Sequence, residues 1–531
     1  MAVLDIARPL SDFEQLVFSR MLTVIRRKAN RNRLRTSYAD SKKRLDKIGF
    51  SIPPHMQDFQ VAIGWANKAV KVPARRIRPD GFTLGRESKM LADLEEVFGD
   101  NHFAAVERMA IESSLQHSVA FVFTTPGEVV AGEPEVIVAA RTALEATAEI
   151  DTRTNRVMHA LEVVGHREHL LYLPGKTLKL ELVDRKWLVT AEYTGIPGRV
   201  MCTPYVWGRS LERPFGYSRI TRPLMGYIDM GVRTLLRFEV NAEFYGAPQR
   251  ALLGAEEEHF LDAAGKRISP LDALIGGVWA LPNTRDEETG DLVKPTLQQL
   301  SQATMQPHGD MLRTIGLMVS SETSIPVNYL GIIHDNPASA DAIRASESDL
   351  SSVVEDELPS IGMSRVDLAR NVLAVKYGEW TPAMESELRG LRAHFKDPGT
   401  VSKAAQADAG LKFTQTFPDG DPEVAMEVYG LDKGQIERMT NYKSRQAAGS
   451  RLDTLVAAAK GSVAPVFSDG GTESLAAVEE QLKKAQLVKA QADALGSLRR
   501  AGVEGDDAAR QVGLESLKFI PGNPITIREG S

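Results

Sequence analysis

Cysteine is almost missing from this chain of 531 residues: Cys202 is the only one. That excludes a disulfide framework and any CxxC-type zinc site, and it suits a reducing cytoplasm. Long apolar runs are missing too. A membrane span needs ~20 residues, whereas the longest candidate, Ala273 to Leu281, is far shorter and contains Gly276 and Gly277. Near the start, Asp5 and Arg8 interrupt what would have to be a signal-peptide core, so neither secretion nor membrane insertion is expected. A surplus of positive charge is also lacking. With 64 Lys and Arg against 70 Asp and Glu, the net charge is −6. A protein gripping nucleic acid over its whole surface is excluded, while local basic patches remain allowed. What is present is ordinary: 43% hydrophobic and 25% charged residues make a globular chain. Its length leans toward roughly three or four structural units with ample apolar content for a core.

The first fifty residues read as mostly helical and strongly basic. Arg26, Arg27, Lys28, Arg31, Arg33 and Arg35 are followed by Lys42, Lys43, Arg44 and Lys47, with only Asp40 and Asp46 among them. Such a run is either a solvated helical face or a contact for an acidic partner or nucleic acid. A helical segment covers Lys89 to Leu115. From Val119 to about Val206, β-branched and alternating residues dominate, punctuated at Pro126-Gly127, Pro174-Gly175 and Pro197-Gly198 as in antiparallel hairpins.

A long helix is expected from Pro223, a residue tolerated in a first turn. Leu224, Ile228, Gly231, Leu235, Phe238, Ala242 and Tyr245 recur at steps of four and three, one stripe along about 36 Å. Gly246 and Pro248 stop it. The insert 248–302 returns to short strands around the acidic turn Asp286 to Asp291. A second helix runs from about His308 to Ser321, with Met311, Leu312, Ile315, Met318 and Val319 on one side. After the breaker-rich loop Ile325 to Pro337, Asn336 can cap a third helix. Pro359 and Gly362 should kink or break that helix before Asn371. The remainder, 400–531, is helical and polar, divided by the Gly/Ser/Pro-rich stretch Gly461 to Gly471, with a final helix over Leu475 to Leu498.

Catalytic constellations are absent from this reading. Gly175-Lys176-Thr177 looks like part of a phosphate loop, but position 170 is Leu where a nest-forming glycine is required, and a strand follows instead of a helix. His166 and His169 lack the HExxH spacing of a metal site. Gly362-Met-Ser-Arg lacks the second glycine of a nucleophile elbow. Asp341, Glu347, Asp349, Glu355, Asp356 and Glu357 are numerous enough for a two-metal nuclease, yet they lie along one helix where such a site wants acids from several elements. A solvated or channel-facing acidic helix is the better reading. No enzyme, cofactor or metal is expected.

The order of elements, with four segments, resembles the portal proteins of tailed double-stranded DNA bacteriophages. The segments are Gly64-Trp-Ala-Asn-Lys-Ala-Val with Arg76-Ile-Arg-Pro-Asp-Gly-Phe; Phe215-Gly-Tyr-Ser-Arg-Ile leading to Tyr245-Gly-Ala-Pro-Gln-Arg; Ser324-Ile-Pro-Val-Asn-Tyr-Leu-Gly with Asp335-Asn-Pro-Ala-Ser-Ala-Asp-Ala-Ile-Arg; and Lys396-Asp-Pro-Gly-Thr-Val-Ser-Lys. The tail, Ala508-Ala-Arg-Gln-Val-Gly-Leu and then Pro524-Ile-Thr-Ile, looks like the end of long-tailed actinobacteriophage portals. The likeness implies an α+β fold with a helical and β wing (1–219), stem helices (220–247 and 303–321) and a small β clip (248–302). A tunnel loop (322–338), a long kinked wing helix with its return (339–399) and a helical crown with the tail (400–531) follow.

It further implies a ring, usually of twelve copies, at one capsid vertex of the virion, assembled in the host cytoplasm. Double-stranded DNA would pass through it during packaging and ejection. Implied partners are the large terminase subunit, the head-completion or adaptor protein, the major capsid protein and the scaffold, and no membrane. By this resemblance Val327, Asn328, Tyr329, Gly331, His334, Asp335 and Asn336 belong to the tunnel loop, and Asp341, Glu347 and Asp349 are candidates to face the channel. Trp279, with Val278 and Leu281, is expected at a clip interface. The rival readings are a nuclease or ATPase of the packaging machinery, or a non-viral ring scaffold. Pro359-Ser-Ile-Gly departs from the family's long helix by being a stronger break.

Overall fold

Polar–apolar alternation and helical stripes produce an α+β fold in the computed structural model, which describes residues 3–45, 61–86, 88–246, 250–253, 284–285, 292–293, 296–299, 304–332, 340–399, 403–418, 420–432 and 434–446. The chain divides into two compact units, 1–437 and 438–531. In the second unit the described residues, 438–446, are helical. The expected linker at 461–471, the final helix at 475–498 and the tail lie outside the described residues.

The chain opens on a strand, β1 (Val3–Pro9), followed by α1 (Asp12–Ala39), α2 (Trp65–Arg76), β2 (Pro79–Thr83), α3 (Lys89–Asp100) and α4 (Phe103–His117). Eight strands come next: β3 (Val119–Pro126), β4 (Val136–Thr142), β5 (Ala146–Ile150), β6 (Val157–Val163), β7 (Glu168–Leu173), β8 (Lys176–Val183), β9 (Lys186–Thr194) and β10 (Cys202–Val206). Then follow α5 (Arg222–Gly246), four short strands β11 (Arg250–Leu253), β12 (Thr284–Arg285), β13 (Leu292–Val293) and β14 (Thr296–Gln299), and α6 (Gln306–Thr323). The described chain continues with α7 (Ala340–Tyr377), α8 (Pro382–Glu387), β15 (Arg392–Phe395), α9 (Lys403–Thr416) and α10 (Pro422–Val428).

The β-rich region forms two antiparallel sheets, of order β1-β9-β8-β7-β6-β5 and β10-β3-β4. α1 lays Val17, Phe18, Met21 and Ile25 on Leu161, Leu171, Leu178, Leu180 and Val189 of the larger sheet. The spacing i, i+1, i+4, i+8 puts those four on one helical face. Burying side chains of this kind contributes ~1.5–3 kcal/mol each. The second and larger core gathers α2, α4, α7 and the three-stranded sheet. Phe123 stacks on Tyr172 at 4.6 Å between ring centroids, joining the two sheets. A buried pair, Arg365 Nε to Glu107 Oε1 at 2.7 Å, ties α7 to α4, and the Tyr205 hydroxyl donates to the same oxygen at 2.9 Å.

The opening is mostly helical as expected, with one strand unforeseen: β1 pairs with β9 from Val3↔Tyr193 to Pro9↔Leu188. Two expectations need correction. The stripe of α5 is rotated: Leu224, Ile228, Val232, Leu236 and Val240 are buried, while Leu235 and Phe238 are half-buried. The buried set follows steps of four, which lets the neighbouring elements cover one side of the helix. Finally, Pro359 does not break α7, which is one helix of 38 residues with the proline inside it. An interior proline costs ~3 kcal/mol. Leu350 and Val354 before it and Ile361, Leu368 and Val372 after it are all fully buried in the same core, and that burial outweighs the lost bond. Ser364 adds a bond from Oγ to the Pro204 carbonyl at 2.8 Å.

Candidate functional site: the clamped loop after the helix pair

α5 and α6 pack together, linked in sequence by the short strand pairs β11–β14 and β12–β13. The second pair brackets the acidic stretch 286–291 in sequence. α6 follows the sequence stripe only in part, since Ile315 and Val319 are buried but Met311 and Met318 are 40% and 41% exposed. Leu317, beside them, is 47% exposed. Two glycines let α5 and α6 approach Trp65 at the start of α2. A Cβ on Gly231 would lie 2.7 Å from Ile63 Cδ1 and 3.2 Å from Trp65 Cζ3, and one on Gly316 would collide with Ile332.

Beyond α6, Ser324 takes a left-handed conformation and the chain forms a 3-10 turn, Val327–Leu330. Gly331 closes that turn at φ +85°, a conformation that glycine takes without cost. The turn is held from several directions. Trp65 Nε1 donates to the Leu330 carbonyl at 3.2 Å, and Lys68 Nζ donates to the Tyr329 carbonyl. The Tyr329 hydroxyl donates to Glu347 Oε1 and accepts from Arg76 Nη2 at 3.3 Å. Arg76 Nη2 also pairs with Glu347 Oε2 at 3.1 Å, and Arg76 Nη1 reaches Ser351 Oγ and the Pro398 carbonyl at 3.2 and 3.0 Å. Burial, reinforced by the Glu347 acceptor, pushes the Tyr329 phenol above its ordinary value.

Glu347 therefore does not face open space as expected. It is 6% exposed and paired with Arg76, because a carboxylate at this depth is retained only with a partner. Asp349 is exposed, and Asp341 falls in the first turn of α7. Of the expected loop residues, the structure brings Val327, Tyr329 and Gly331 into the clamped turn, with Asn328 exposed on it. His334, Asp335 and Asn336 lie outside the described residues, as do Val278, Trp279 and Leu281. Trp65 and Arg76 stood in the sequence only as members of the first resembling segment, with no role assigned. The signal that could have assigned them was Gly231 inside an apolar stripe, which marks where another element approaches closely.

The rejected chemical motifs acquire structural uses. Lys176 opens β8, and its Nζ pairs with Glu14 Oε1 at 2.7 Å. Glu14 closes the capping box of α1 with Ser11. Its carboxyl is held well below the usual range by the Arg8 guanidinium at 2.7 Å and by Lys176. His169 is buried and stacks on Trp187 at 4.3 Å between centroids, and His166 is exposed. Among the described residues no three or more His, Cys, Asp or Glu side chains group as a metal site, and no helix is long and apolar enough to cross a membrane.

No family model matches the chain. Individual proteins do. The chain is similar in sequence to portal proteins of two bacteriophages. It is 27% identical over 430 residues to the portal protein of Mycobacterium phage L5, across 78% of this chain and 85% of that one. To the portal protein of Mycobacterium phage D29 it is 26% identical over 430 residues, across 78% and 86%. The resemblance expected from four sequence segments is thereby borne out.

Proposed function

We propose that this chain is a portal subunit. Copies of it assemble into a ring at one capsid vertex of the virion, through which double-stranded DNA is packaged and later ejected. The observation that carries this reading is the relationship to two phage portal proteins over 430 residues. The paired helices α5 and α6 support it as well: they form the stem, and the exposed Met311, Leu317 and Met318 are covered by a neighbouring copy. Residues 1–219 then form a wing, 248–302 a clip, 322–338 the tunnel loop, 339–399 the long wing helix and its return, and 400–531 the crown. The ring has twelve copies and no catalysis of its own. The terminase motor docks on the clip first and the neck adaptor later, with Trp279, Val278 and Leu281 at that contact. Capsid protein and scaffold meet the wing during assembly in the host cytoplasm.

The clamp refines how the loop would work. Its first residues are fixed by Trp65, Lys68 and Arg76. Asp335, Asn336 and the α7 acids Asp341 and Asp349 give the lumen a negative, weakly holding surface. Every phosphate neutralised by a fixed cation would tighten binding and act as a brake. The experiment is electron microscopy of the purified full chain. Rings with a central channel are expected, and a monodisperse monomer would overturn the reading.

A further inference from the structure

A recess between the β5–β6 hairpin, the segment joining β9 to β10, and α7 gathers four arginines. Arg156 stands exposed at its rim, Arg199 and Arg209 are half-buried, and Arg370 projects from α7 with its side chain 24% exposed. The cavity holds about 70 Å³. A buried water occupies roughly 10–15 Å³ on this measure, so the space takes a small polyatomic group and not a single water. Asp367 is the only carboxylate among the lining residues. It reaches Arg370 Nη1 at 3.5 Å, and Glu385 stands 3.6 Å from Nη2, both longer than the 2.7–2.9 Å of a good charge-assisted bond.

The donors are conspicuously unused. Nε of Arg199, of Arg209 and of Arg370 is buried without a hydrogen-bond partner. Arg199 is held in place by packing its guanidinium over the Trp380 ring at 4.7 Å. Burial lowers the pKa of Arg199 and Arg209, the direction expected where a cation is desolvated without full compensation. Buried unpaired donors of this kind each cost free energy unless a ligand satisfies them. Asp367 lines the recess and Glu385 and Glu357 act on its arginines from beside it, so four cations outnumber three carboxylates. A phosphate group brings up to two negative charges and three or more acceptor oxygens matched to the guanidinium fork.

We propose that this recess is a binding site for a phosphate group, gripped by Arg199, Arg209 and Arg370 with Arg156 closing the rim. The group comes either from free inorganic phosphate or from the backbone of a nucleic acid. The site is independent of the portal reading and would exist in a single subunit.

Calorimetric titration of the full chain with inorganic phosphate tests it, in chloride buffer at constant ionic strength. One phosphate per chain is expected. Arg209→Gln, and separately the exposed Arg156→Gln, should weaken binding about tenfold or more, with Arg209→Lys intermediate because it keeps the charge but loses the fork. Melting temperatures in phosphate-free buffer show whether each variant is folded. Competition with a short DNA duplex separates the two sources: displacement of phosphate assigns the site to a nucleic-acid backbone, and indifference assigns it to free phosphate. Absence of phosphate uptake by the wild-type chain would overturn the proposal. So would equal uptake by folded variants, or acetate binding as tightly as phosphate, which would point to an acidic side chain of another protein.

Discussion

The sheet-bearing body and the α5–α6 helix pair solve the problem of burial differently. In the body, α1 covers the six-stranded sheet and a second core joins α2, α4, α7 and the three-stranded sheet, while Phe13 and Leu16 of α1 and Met109 of α4 stay exposed. Charged groups there are matched as well: Glu14 with Arg8 and Lys176, Glu107 with Arg365, Glu347 with Arg76. The helix pair buries Leu224, Ile228, Val232, Ile315 and Val319 but leaves Met311, Leu317 and Met318 open. A helix whose apolar face is wider than its cover within one chain suits a shared interface. On the portal reading proposed above, the open face of the pair is where another copy would complete it, although its buried side chains belong to the same core as the body.

Trp65 belongs to both regions, so removing it is the strongest test of how they are joined. It is 6% exposed, lies against the sites of Gly231 and Gly316, and donates to Leu330. Trp65→Ala should cost about 4 kcal/mol in denaturant unfolding, and it should free the 3-10 turn. That would appear as faster hydrogen exchange at Gly331 and Ile332. A loss below about 1 kcal/mol would break the comparison at its hinge.

The next effect is confined to the body. His117 is buried, and burial together with the nearby Arg35 pushes its pKa down from 6.5 to about 4. Above pH 6.5 both folded and unfolded chains carry it neutral. As pH falls from 6.5 toward 4 the unfolded chain takes up a proton that the folded chain refuses, so roughly 3 kcal/mol of stability is lost across that window. His117→Gln should flatten this part of the acid profile. Glu14, whose pKa is depressed, supplies stability that is present above its ordinary value of 4.5 and lost below it; that part should persist in the His117 variant.

A smaller change sharpens the boundary between the regions. Gly316→Ala places a methyl against Ile332, and overpacking should destabilise by about 2 kcal/mol. The matching change at Gly309, on the same helix with nothing within 4 Å, should be neutral or slightly stabilising. Equal effects at both positions would contradict the close approach. The smallest expected effect on the single chain is at the open face. Met318→Glu should shift unfolding by no more than about 0.5 kcal/mol, yet abolish assembly. Sedimentation velocity reads the second outcome and thermal melting the first.

Much of this fold was legible in the residues. Hairpin punctuation at Pro126-Gly127 and Pro174-Gly175 marked strand ends because glycine and proline restrict the backbone locally, and the stretch from Val119 to Val206 folded as read. What failed depends on distant partners. β1 is a strand only because β9 lies beside it, and Pro359 stays inside α7 because the core on both sides holds the helix. In the candidate site the turn before Gly331 was marked by its breakers, whereas the inward turn of Glu347 required knowing that Arg76, 271 positions earlier, would meet it. A row of acids on a helix says nothing of which one finds a cation. The arginine recess was invisible for the same reason, since its four arginines come from separate stretches of sequence.

The central claim is that the helix pair is completed by further copies of the chain. The most direct test is the mass of the native particle under non-denaturing conditions, for the wild type beside Met318→Glu. The account predicts one wild-type species of many hundreds of kilodaltons and a variant reduced to the 58.2 kDa chain. A wild-type chain that remains at 58.2 kDa at concentrations where it is stably folded would contradict it.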